Sequence, residues 1–153
     1  MFDTHVDALY VWVAVGAVSV AALSVVLQLP TTAPPDGAET ARTIDEVATG
    51  PPGSVATREL DAEEWRLTGR QVGLRSDGGT VHETLLRSVV PAVTDSLAAV
   101  LDGEAPSEAF DSSSAFENAT ETAATNATGW RPAPDRLTVR HVAWGGVDVT
   151  LVG

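Results

Sequence analysis

The residues able to move a proton or hold a metal are few and scattered. Three histidines, His5, His82 and His141, stand far apart, and none lies in an H-x-x-x-H or HExxH pattern. The spacing that sets two imidazoles on one helix face for zinc is missing. Glu83 follows His82 directly, and neighbours on a strand point to opposite faces, so the two do not make a dyad. Asp61, Glu63 and Glu64 offer oxygens to calcium but lack the EF-hand spacing, and the cluster reads as a solvated turn. There is no G-x-S-x-G elbow, no P-loop and no cysteine, which removes the usual nucleophile and phosphate motifs together with disulfides and thiolate metal sites. No catalytic, cofactor or metal residue is assigned, and neither an enzyme nor a small-molecule substrate is expected. Trp65, Trp130 and Trp144 remain as candidates for a binding patch. In a domain with so few other large hydrophobes, they are expected in the core.

Two positions fit a modification motif. Asn118-Ala119-Thr120 and Asn126-Ala127-Thr128 both match the Asn-X-Ser/Thr acceptor for N-glycosylation, and both fall in a Ser/Thr-rich stretch.

All nine basic residues are Arg, against twenty-one Asp and Glu, for a formal net charge of −12. A chain so acidic, without a basic stripe, is not expected to bind nucleic acid or to dock on anionic headgroups.

The elements that must position these groups begin with residues 8–29, ALYVWVAVGAVSVAALSVVLQL, twenty-two residues without a side-chain carboxylate, amine, imidazole or guanidinium. A helix of that length covers roughly 33 Å, enough for a hydrocarbon core of about 30 Å. A signal peptide would need a basic leader, a shorter apolar run and a small-residue cleavage site; a soluble core helix would be shorter and carry a polar stripe. The expectation is a retained single-pass transmembrane helix, with the bilayer as one partner. Tyr10, Ala14, Ala17, Ala21, Ser24 and Gln28 share one stripe of that helix and would let a second membrane protein's helix approach closely. No Lys or Arg precedes the span, a charge signal that favours a cytoplasmic C-terminal side. The two acceptor motifs favour the opposite, and the C-terminal domain is placed outside the cell.

Around this helix the chain divides into a short N-terminal segment (1–7), the span (8–29), a Pro/Thr/Gly-rich stalk with a short helix near 41–48 (30–54), and a small domain (55–153). The fold class expected for that domain is α+β: antiparallel hairpins packed on one helix. Short strands are expected at 56–60 and 65–67. Residues 71–75 and 80–85 form a hairpin about a type I′ turn at Asp77-Gly78, pairing Leu74 with Val81 and Val72 with Glu83. Residues 88–101 read as a helix starting near Pro91, with Val93, Leu97, Val100 and Leu101 on one face. Residues 104–129 read as a mobile, disordered loop. A second hairpin ends the sequence over 136–152. A two-residue Gly145-Gly146 loop would set Val149 opposite Val142. A three-residue loop starting at Trp144 would pair Val139 with Leu151 and keep apolar faces together, and it is the register expected.

An acidic, Lys-free chain with an apolar segment MFDTHVDALYVWVAVGAVSVAALSVVLQLPTTAPP and a terminal RLTVRHVAWGGVDVTLVG resembles the small pilin-like membrane proteins of haloarchaea, an uncharacterised family associated with type IV pilus or secretion-type systems. The resemblance implies a non-catalytic, structural or accessory component of a surface-filament or secretion-like assembly. The leader MFDTHVD lacks the basic residue of archaeal prepilins, which implies an accessory rather than a major subunit. The alternative is a membrane-tethered module that binds a ligand or protein through its Trp-bearing terminal hairpin.

Overall fold

A computed structural model describes the backbone of residues 4–27, 32–127 and 129–153, and the side chains of these except 4–8 and 22–27. The chain forms two compact units, Met1–Thr31 and Thr32–Gly153.

The first unit is one helix, α1 (Thr4–Leu27). Among the described residues no helix is long and apolar enough to cross a membrane. This overturns the transmembrane helix, and with it the single-pass membrane location and the outward placement of the second unit, both of which rested on the span.

The second unit is α+β, with four helices and two sheets among the described residues rather than hairpins on a single helix. The first sheet has the order β1-β7-β8-β5, from β1 (Val55–Glu59), β7 (Arg136–Trp144), β8 (Val147–Val152) and β5 (Val90–Pro91). The second has the order β4-β3-β2-β6, from β4 (Gly79–Thr84), β3 (Gln71–Ser76), β2 (Glu64–Thr68) and β6 (Arg131–Pro132). Leu137, Val139 and Val152 of the first sheet meet Trp65, Leu67, Val72 and Leu74 of the second in one core. Helix α2 (Gly37–Thr49) inserts Ala41, Ile44 and Val47 into it, a spacing of three that keeps them on one face. Asp36 caps α2 by accepting from the Glu39 N–H, and Gly50-Pro51-Pro52 stops it. The short helix expected near 41–48 is therefore present and longer at both ends.

The other face of the first sheet is also covered. Val142 and Leu151 meet Leu97, Val100 and Leu101 of α3 (Asp95–Asp102) and Phe116 and Ala123 of α5 (Ser113–Asn126). The unit is thus layered: helices α3 and α5, first sheet, core with α2, second sheet. The expected disordered loop at 104–129 instead contains a single turn, α4 (Pro106–Ala109), and the long α5. Ser112 caps α5, and its buried face of Phe116, Thr120 and Ala123 is the reason it is held. Helix α3 begins at Asp95, capped by Thr94. It does not begin near Pro91, because Val90 and Pro91 pair in parallel with Leu151 and Val152.

Both hairpins test register. Leu74 pairs with Val81 and Val72 with Glu83, as expected. The turn differs: Gly79 carries positive φ, and Asp77 and Gly78 do not, so it is not type I′. In the terminal hairpin Val142 pairs with Val149 and Arg140 with Leu151, the register set aside in favour of the three-residue loop. Gly145 and Gly146 both have positive φ, which a two-residue turn of the hairpin-favoured hand requires. Since both faces of this sheet are buried, keeping apolar residues on one face gave no gain.

Candidate functional site

Alternation along the second sheet separates core from outer face. Trp65, Leu67, Val72 and Leu74 are buried inward. Arg66, Gly73 and His82 then form one outward row across β2, β3 and β4, through the pairs Arg66↔Gly73 and Gly73↔His82. Trp130 precedes β6 and lies over this row. Its seat exists because position 73 has no side chain: a Cβ there would stand 3.0 Å from Trp130 Cη2 and 2.9 Å from His82 Nδ1. The Arg75 guanidinium stacks 4.1 Å from the indole centroid and that of Arg66 5.2 Å; the His82 ring is 5.7 Å away. Cation–π stacking holds the guanidinium planes against the ring while their N–H edges stay able to meet carboxylates. Arg75 Nη1 already donates to Glu64 Oε2 at 2.8 Å. Arg66 has no carboxylate partner among the described residues. The outer face is therefore basic on balance in a strongly acidic chain.

The helix layer on the far side of the unit has the opposite sign. Between Arg87 and Arg131 there is no basic residue, and seven carboxylates run from Asp95 to Glu121. All seven are exposed.

Among the described residues, the one close histidine–carboxylate pair is structural in its geometry. His141 Nε2 lies 2.7 Å from Asp148 Oδ1 and Nδ1 lies 2.8 Å from the Gly50 carbonyl oxygen. Both ring nitrogens face acceptors, so neither is left to take a proton from a bound molecule. The imidazole, itself buried, ties β7 to β8 and to the end of α2. Among the described residues no group of three or more His, Asp or Glu could hold a metal ion.

The residues singled out by sequence are not gathered in one place. Tyr10, Ala14, Ala17 and Ala21 are exposed on α1. The side chain of Ser24, and Gln28 altogether, lie outside the described residues. Asn118 and Asn126 are exposed on α5. Thr120, third in the first motif, is buried and donates to the Glu117 carbonyl; Thr128, third in the second, lies outside the described residues. Trp65 is in the core. Trp144 is packed against Phe116, ring centroids 6.1 Å apart, so the terminal hairpin does not present it as a free aromatic. Trp130 carries the surface cluster. Trp130 stood among the candidates for a binding patch but was expected in the core, and its partners were not foreseen, although a glycine inside a strand, flanked by Arg66 and Arg75 on the same face, marks a close approach from outside.

Comparison with known proteins gives one match. Residues 3–142 fit the family described as a family of unknown function, DUF7283. Neither a curated protein nor a solved structure matches. With nearly the whole chain covered, the protein belongs to the DUF7283 family.

Proposed function

We propose that this protein is a non-catalytic component of a multi-subunit assembly, structural or accessory in role, in which α1 is the assembling helix and Thr32–Gly153 the module it carries. The observation behind this is the exposure of α1: Leu9, Tyr10, Val11, Trp12, Val13, Val15, Val18 and Val20 are each more than half exposed, Trp12 at 75%. A helix apolar on all sides is stable in water only when other surfaces cover it. Each such side chain buried contributes roughly 1.5–3 kcal/mol, so a few turns of α1 supply enough to join subunits. Ala14, Ala17 and Ala21 allow close approach of a second backbone. The test is sedimentation velocity on the full chain and on a variant carrying Val11→Asp, Val15→Asp and Val18→Asp. A multimer reduced to monomers, with unchanged near-ultraviolet circular dichroism from the second unit, is the expected result. Equal masses for both chains would overturn the proposal.

The outer face of the second sheet supports a second reading, a protein-binding module. Trp130 with Arg66 and Arg75 has the aromatic and Arg composition of interface hot spots.

A further inference from the structure

We infer that the Trp130 face of the second sheet binds the α3–α5 helix layer of a second copy of this chain, so that copies join head to tail. The inference rests on the assembly reading above and names a partner for the binding face. The argument is charge complementarity across one unit. On one side Trp130 is framed by Arg75 at 4.1 Å and Arg66 at 5.2 Å, and Arg66 lacks a carboxylate partner among the described residues. On the other, seven exposed carboxylates stand against one guanidinium, that of Arg140, which donates to the Val100 and Glu104 carbonyls at the end of α3. The first sheet and the core separate the two faces, so one molecule cannot satisfy both from within. A second copy supplies the missing sign to each. Glu117 and Glu121, one turn apart on the exposed side of α5, offer carboxylates at the spacing of a helix ridge, and the stacked guanidiniums are pre-oriented to receive them. Because donor and acceptor faces lie on opposite sides, the contact is heterologous. It propagates as an open chain unless a rotation closes it. Being electrostatic, it weakens as salt shortens the Debye length to about 3 Å at 1 M.

The chain contains no cysteine, so introduced thiols report the contact cleanly. Thr84→Cys places a thiol on the exposed outer face of β4, and Thr122→Cys on the exposed side of α5. Full-length chains carrying one substitution each are mixed and oxidised at low salt. The mixed disulfide is expected to outweigh both self-paired species, and the doubly substituted chain to give a ladder of multimers. Arg66→Glu with Arg75→Glu lowers the mixed product about tenfold, and Glu117→Arg with Glu121→Arg on the partner chain restores it. Arg66→Gln, which only removes charge, lowers it by less and covers the case in which the double reversal unfolds the sheet. Self-paired products in excess, or a yield indifferent to these changes, would overturn the inference. Oxidation is repeated with the three Asp substitutions in α1. A ladder that forms when α1 proves irrelevant to mass would overturn the assembling-helix reading and leave this one standing. An α1-dependent multimer without a ladder does the reverse.

Discussion

Gly73 and Gly78, five residues apart, owe their lack of a side chain to different neighbours. At Gly73 an added methyl meets two ring edges, His82 Nδ1 at 2.9 Å and Trp130 Cη2 at 3.0 Å. His82 is exposed and Trp130 partly so, and both can swing aside. Gly73→Ala is therefore expected to cost less than about 1 kcal/mol while lifting the indole off its seat. Tryptophan emission should shift as the Trp130 indole leaves its seat between the two guanidiniums. No spectral change would refute the seating. At Gly78 the methyl meets the Ala33 carbonyl oxygen, which is backbone and cannot swing; Gly78→Ala should cost about 1–3 kcal/mol in a denaturant melt. His141 offers a third contrast. Its ring is buried and bonded at both nitrogens, whereas the Asp148 side chain is 62% exposed. His141→Ala is expected to cost about 2 kcal/mol. Asp148→Asn should cost under about 1 kcal/mol, since water screens the pair from the Asp side. Equal losses would show that the contact with Asp148, and not the buried ring with its bond to Gly50, does the holding.

Helix α5 shows where local pattern fails as a guide. Its buried positions Phe116, Thr120 and Ala123 keep helical spacing, but two of the three are small or polar. The segment around them is rich in Ser, Thr and Asn, residues that compete with helix for backbone hydrogen bonds. The helix is held by its Ser112 cap and by Phe116, fully buried between Phe110 and Trp144. Phe116→Ala should cost about 3–5 kcal/mol and melt the helix layer; a cost near zero would return the segment to a loop. The first hairpin, in contrast, was legible to the residue pair, since Leu74 and Val81 face one core and only one register buries both. In the terminal hairpin, packing on both faces removed that criterion. The conformational demand of Gly145 and Gly146 decided the register, with Gly145 tucked against Ser113 of α5. The Trp130 cluster was illegible for a related reason. Its members come from β2, β3, β4 and the segment before β6, and only the sheet order brings them together.

At the scale of the whole chain, two features point outward from the fold. One is an apolar helix whose aromatic and branched side chains are exposed. The other is a unit with a basic aromatic face on one side and an acidic helix layer on the other. Composition disclosed the apolar segment and the acidity. It did not disclose the polarity, because Arg66 and Arg75 look dispersed in sequence until strand pairing sets them on one face beside Trp130. The strength of the electrostatic contact should fall with ionic strength, while burial of α1 should not; mass measured from low to high salt separates the two contributions.

The most direct measurement is hydroxyl-radical footprinting of the full-length protein in its native, detergent-free state, read by mass spectrometry at Tyr10 and Trp12. Tyr10 is the only tyrosine in the chain, and both side chains are among the most exposed in α1. If α1 assembles subunits, both are protected in the native sample and become reactive in the variant with Asp at positions 11, 15 and 18. If they oxidise as fast in the native sample as in that variant, α1 is uncovered and the protein is not assembled through it.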